Sequence, residues 1–139
     1  MEGILEPILV AEDDPDDRLL IREAFDEIGL DNPLHFAKDG VELLDHLHRR
    51  NDFAHLSGTA LPCAILLDLN MPRMDGREAL AEIKENETLS QIPVVILTTS
   101  TAEEDISKTI DLGATSFAVK PVTFHDLVQL ASAIMSYCR

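Results

Sequence analysis

Residues 64–76 read Ala64-Ile65-Leu66-Leu67-Asp68-Leu69-Asn70-Met71-Pro72-Arg73-Met74-Asp75-Gly76. Four consecutive apolar residues, one acid and then the turn-forming Asn70-Met71-Pro72 and Asp75-Gly76 describe a strand buried on both faces that ends in a sharp loop before a helix. Runs of the same kind recur on either side: Ile8-Leu9-Val10-Ala11, Leu34-His35-Phe36-Ala37, Val94-Val95-Ile96-Leu97 and Phe117-Ala118-Val119. Five buried strands fit them. Between the runs, apolar residues return on one helical face, as with Leu20, Ile21, Ala24, Phe25 and Ile28, and again Leu127, Leu130, Ala131 and Ile134. Asp14-Pro15 places a cap before a proline at the first helical position, Thr101-Ala102-Glu103-Glu104 has capping-box spacing, and Gly29 and Gly113 read as helix stops. A strand alternating with a helix five times predicts an α/β fold, a doubly wound five-stranded parallel sheet with helices on both faces.

The chain has 139 residues, 45% apolar and 27% charged, with no linker, repeat or low-complexity tract, so one domain over 1–139 with a core at about 8–137 is expected. Eleven Lys and Arg against 26 Asp and Glu leave a net charge of -15, which repels a phosphate backbone and excludes direct nucleic-acid binding. No window approaches the roughly 18 apolar residues of a membrane span, and residues 1–10 lack an export signal. The expected location is therefore cytoplasmic. Cys63 and Cys138 are distant in sequence and have no metal-ligand companions, so both are expected as reduced thiols, with Cys63 a packing residue. Asn86-Glu87-Thr88 matches a glycosylation acceptor by chance. His35, His46, His48, His55 and His125 are scattered and read as surface or packing residues.

In doubly wound sheets, function sits at the carboxyl ends of the strands. Just past those ends lie Glu12 and Asp13, Asp39, Asp68, Thr98 and Thr99, and Lys120. Of the five acids in Glu12-Asp13-Asp14-Pro15-Asp16-Asp17, Asp14 is explained as a helix cap, and Asp16 and Asp17 by the helix dipole. Glu12 and Asp13 precede the cap at the end of an apolar strand, where uncompensated charge is costly. With the first and third strands adjacent, Asp13 and Asp68 face each other, and their repulsion calls for a cation; few oxygens and open positions suit hydrated Mg²⁺. Lys120, fixed by Pro121, reaches the same crevice. Thr98 offers a hydroxyl there, although packing explains a strand-closing threonine equally well. A carboxylate nucleophile, a divalent cation, an ammonium and a hydroxyl describe phosphoryl transfer to Asp68.

The segments ILVAEDDPDD, LLDLNMPRMDG, PVVILTTS and GATSFAVKP, in this order and spacing, resemble the receiver domains of two-component response regulators over nearly the whole chain. The resemblance implies a flavodoxin-like strand order 2-1-3-4-5 and phosphorylation of Asp68 by a histidine kinase. It implies Mg²⁺ held by Glu12, Asp13, Asp68 and the backbone carbonyl of Asn70, with Thr98 and Lys120 on the phosphoryl oxygens. Phe117 reads as a core residue from the residues alone; the resemblance makes it a switch that swings inward when Thr98 is drawn to phosphate. The family catalyses only its own phosphorylation and slow dephosphorylation.

The chain is also similar to the small stand-alone regulators paired with bacterial phytochrome-type kinases, several of them dimers. The chain stops soon after the expected fifth helix, so no output domain is expected, and output is expected through a protein target or phosphotransfer protein. Two departures stand out. Residues 51–62 read as an extended loop, and Thr99 is bulkier than the family's usual Ala or Gly, which implies slower hydrolysis of the phosphoryl group.

Three rivals are open to such a sequence. A haloacid-dehalogenase-type phosphatase needs a second Asp two positions after the nucleophile, where this chain has Asn70. A flavodoxin-like electron carrier needs a phosphate loop where this chain has acids. An acidic interaction module without phosphoryl chemistry predicts no covalent adduct.

Overall fold

A computed structural model describes residues 6–56, 58–69, 71, 76–99 and 103–138. Its strands are β1 (Ile8–Ala11), β2 (Leu34–Ala37), β3 (Ala64–Asp68), β4 (Val94–Thr98) and β5 (Ser116–Val119). They form one parallel sheet in the order β2-β1-β3-β4-β5. The helices are α1 (Pro15–Glu27), α2 (Gly40–His48), α3 (Gly76–Glu85), α4 (Glu103–Asp111) and α5 (Phe124–Met135).

Two cores follow from the alternation of side chains along each strand. Leu9, Ile65, Leu67 and Ile96 point to the face covered by Leu43, Leu44 and Leu47 of α2 and Leu80 and Ile83 of α3. Ile8, Val10, Leu66 and Leu97 point to the other, against Ile21, Ala24 and Phe25 of α1 and Ala131 and Ile134 of α5. The strands β1, β3 and β4 are therefore buried at every residue. The edge strands are not: β2 is buried only at Ala37, and β5 alternates half-buried and exposed residues. Leu20 likewise turns outward from α1, 43% exposed.

The helix ends obey local chemistry. Asp14 accepts from the Asp16 amide at 2.8 Å and caps α1, with Pro15 opening it. Asp39, buried past the end of β2, is the cap of α2 through the Glu42 amide at 2.8 Å, which accounts for an acid the sequence left as a site candidate. Gly29 and Gly113 follow their helices with φ of 74° and 105°. The Thr101 end of the expected capping box lies outside the described residues.

Three expectations need correction. Cys63 and Cys138 are not free thiols: they form a disulfide with Cα atoms 5.2 Å apart across 75 residues of sequence. α5 follows the last strand and runs back antiparallel to it, so its end returns to the edge of the sheet where β3 begins. The loop over residues 51–62 opens with a 3-10 helix, Asn51–Leu56. The histidines are not all scattered: His35 Nδ1 and His46 Nε2 lie 2.9 Å apart, because edge strand β2 faces α2. His46 is buried, and burial, followed by the charges of His35, Arg49 and His55, lowers its pKa to about 4.

Candidate functional site

Parallel register sets the crevice. Ala11 pairs with Leu67 and Asp68 with Leu97, so the residues following β1, β3 and β4 emerge at one level. Glu12 and Asp68 are 1% and 3% exposed, whereas Asp13 is exposed at the rim. Ligand oxygens of Glu12, Asp13 and Asp68 lie within 4.8 Å of one another. The crevice thus brings together the three acids singled out from the sequence.

Lys120 arrives from the end of β5, its amide donating to the Thr98 carbonyl at 2.7 Å. Its Nζ donates to Asp68 Oδ2 at 3.1 Å and to Asp17 Oδ2 at 3.0 Å. It also stands 3.2 Å from Glu12 Oε1, an ion-pair distance, but that oxygen accepts no hydrogen bond. The other Glu12 oxygen accepts the Asp14 amide at 3.1 Å. Burial raises the Glu12 pKa to about 7; the Asp14 amide opposes the shift, the Asp68 charge adds to it and Lys120 opposes it. For Lys120, burial would lower the pKa, but hydrogen bonds to Asp17 and Asp68 and the charges of Asp68 and Glu12 prevail and raise it.

These acids suit a divalent cation. Three converging carboxylates, one of them buried with an unsatisfied oxygen, match the hard oxygen donors such an ion takes while leaving room for water. Asn70 lies outside the described residues. Thr98 is buried at the tip of β4, 2% exposed. Phe117, expected as core, is 36% exposed because β5 is an edge strand with nothing beyond it in the sheet.

Two contributors escaped the sequence reading. Gly76 opens α3 directly against the strand end: a Cβ there would stand 2.8 Å from the Asp68 carbonyl oxygen and 2.8 Å from Leu69 Cα. Only glycine permits that approach. Asp17, explained by the helix dipole, reaches from α1 to Lys120, a contact across 103 residues that no local pattern encodes.

Order, burial and charge together define a doubly wound domain organised around the buried acids Glu12 and Asp68 at the carboxyl edge of its sheet. The model of the response regulator receiver domain matches residues 8–132, and the chain belongs to that family, whose members act as phosphoacceptors in two-component signalling. The chain is 37% identical over 130 residues to the probable methanogenesis regulatory protein FilR2 of Methanothrix harundinacea, covering 94% of this chain and 81% of that protein. Against the response regulator Rcp1 of Synechocystis the identity is 36% over 130 residues, covering 94% and 86%. The Mn²⁺-bound crystal form of Rcp1 matches with a TM-score of 0.83 over 94% of this chain and 92% of that one. A crystal structure of the phosphorylated cyanobacterial phytochrome response regulator RcpA, 36% identical, matches with a TM-score of 0.85 over 96% and 94%. This membership does not favour the phosphatase or the chemistry-free module. Among the described residues, no helix is long and apolar enough to cross a membrane.

Proposed function

We propose that Asp68 is the phosphoacceptor of this receiver and that a histidine kinase is the donor. The observation that carries the assignment is the burial of Asp68 at a strand tip with the Lys120 ammonium 3.1 Å from its carboxylate. A carboxylate oxygen of Asp68 attacks the phosphorus of the phosphohistidine; an O–P bond forms, the N–P bond breaks, and the imidazole leaves with the electron pair. Lys120 and Thr98 hold phosphoryl oxygens, and Glu12, Asp13, Asp68 and the Asn70 carbonyl would hold Mg²⁺. When bound, that ion neutralises charge gathering on the phosphoryl oxygens. The protein catalyses only its own phosphorylation and slow dephosphorylation.

Thr98 drawn to the phosphoryl group vacates space into which the Phe117 ring turns from its exposed position. Lacking a hydroxyl, the ring switches by packing alone. The face it leaves, with exposed Val119 and Val122 nearby, serves a downstream protein, a phosphotransfer protein or a second copy of the chain. RcpA is a phytochrome response regulator, and the similarity supports a phytochrome-type kinase as the partner of this chain.

Incubation with Mg²⁺ and a small phosphodonor, followed by intact mass measurement, tests the proposal. One labile phosphoryl adduct is expected in the wild type and none in Asp68→Asn or with EDTA. An undiminished adduct in Asp68→Asn would refute the assignment, and steady turnover of phosphomonoesters would point to a phosphatase.

A further inference from the structure

We propose that Asp17 is a positioning residue that holds the Lys120 ammonium on the α1 side of the crevice and so keeps an oxygen of Glu12 open for the divalent cation. The inference rests on reading Glu12, Asp13 and Asp68 as the metal-holding acids. An ammonium has three N–H donors. One is engaged by Asp17 Oδ2 at 3.0 Å and another by Asp68 Oδ2 at 3.1 Å. Glu12 Oε1, buried and without a hydrogen bond, stands 3.2 Å from the ammonium. Glu12 is one of the three acids whose ligand atoms converge; Asp17 is not.

Lysine and cation therefore draw on the same carboxylates, and every donor spent on Glu12 or Asp68 is one the cation must displace. Asp17 stands outside that competition. Its side chain is 36% exposed in the first turn of α1, so its carboxylate binds Lys120 with little desolvation cost. Without it, the freed donor turns to Glu12 Oε1 and the lysine becomes a stronger rival for the site. Asp17 thus serves the acids without being one of the ligands.

A double-mutant cycle read by Mg²⁺ titration calorimetry separates this role from a general field effect. Asp17→Asn, nearly isosteric and at a half-exposed position, should weaken Mg²⁺ binding by about three- to fivefold, the size of an exposed ion pair. In a Lys120→Met background, where there is no ammonium to hold, the same substitution should have less than half of that effect. In metal-free protein, the Lys120 Cε–Hε signal should move in Asp17→Asn. Equal losses in the two backgrounds, or an unmoved Lys120 signal, would overturn the role of Asp17 while leaving the metal site intact. No Mg²⁺ binding by the wild type would overturn both.

Discussion

Two polar clusters are buried against this sheet, and they meet the cost of burial in opposite ways. At the carboxyl edge, Glu12, Asp68 and Lys120 are gathered with their charges in contact, and Glu12 is left with an unsatisfied oxygen. Under α2, His35 and His46 share one hydrogen bond, and the shift of His46 to about 4 keeps it neutral at physiological pH. Arg49 lies 3.4 Å from His46 Nδ1 and donates to the carbonyls of His46 and Ala60, both at 2.8 Å. The second cluster is satisfied within the fold; the first leaves Glu12 Oε1 with an ion pair but no hydrogen bond. Burial alone does not mark a functional site, but burial of several acids around a single lysine does.

The largest effect expected from breaking this contrast is on stability. His46→Ala leaves a cavity and removes the partner of His35 Nδ1, so it should lower the unfolding free energy by about 4 kcal/mol in urea titration while leaving Mg²⁺ affinity unchanged. A linked loss of Mg²⁺ affinity would show that the two clusters are not independent.

The next effect is a pair of opposed pH dependences in metal-free protein. Glu12 has a folded pKa near 7, above its ordinary 4.5, so the fold binds the extra proton between these values and stability falls as pH rises through the window. His46 has a folded pKa near 4, below its ordinary 6.5, so the unfolded chain binds the extra proton and stability rises as pH rises. Each contributes up to about 3 kcal/mol, and between pH 4.5 and 6.5 they oppose each other. Urea titrations across that window should therefore give a steeper rise with pH in Glu12→Gln than in wild type, and a shallower one in His46→Gln. Identical slopes in all three proteins would mean that neither cluster titrates as its surroundings dictate.

The smallest effect concerns the rim of the crevice, where Thr99 is exposed beside the buried Thr98. Thr99→Ala should open a path for water and shorten the lifetime of the phosphorylated protein by about twofold, about 0.4 kcal/mol of barrier. Decay followed by intact mass measures it, and an unchanged lifetime would remove Thr99 from the account.

The legibility of these regions in sequence differs for a physical reason. β1, β3 and β4 are covered on both faces, and such strands are written as unbroken apolar runs. An acid or lysine at the end of such a run is conspicuous, which is why Glu12, Asp68 and Lys120 could be singled out. β5 carries the same kind of apolar run, but its edge position, hence the exposure of Phe117, depends on the strand order and not on the run itself. The His35–His46 pair, the Cys63–Cys138 bond and the Asp17–Lys120 contact join residues on different elements. Each partner alone has an ordinary local explanation. The need for Gly76 was hidden in the same way: Asp75-Gly76 reads as a turn, while the constraint comes from the backbone of Asp68 and Leu69 folding back on it.

The central claim is that Asp68 accepts the phosphoryl group, and it can be read at the residue itself. Borohydride reduction of the phosphorylated protein converts an acyl phosphate to an alcohol, and peptide mass mapping then locates the modified side chain. The account predicts reduction at Asp68 alone, dependent on Mg²⁺ during phosphorylation. Reduction at Glu12, Asp13 or Asp17 instead, or a phosphoryl group that resists borohydride, would contradict it.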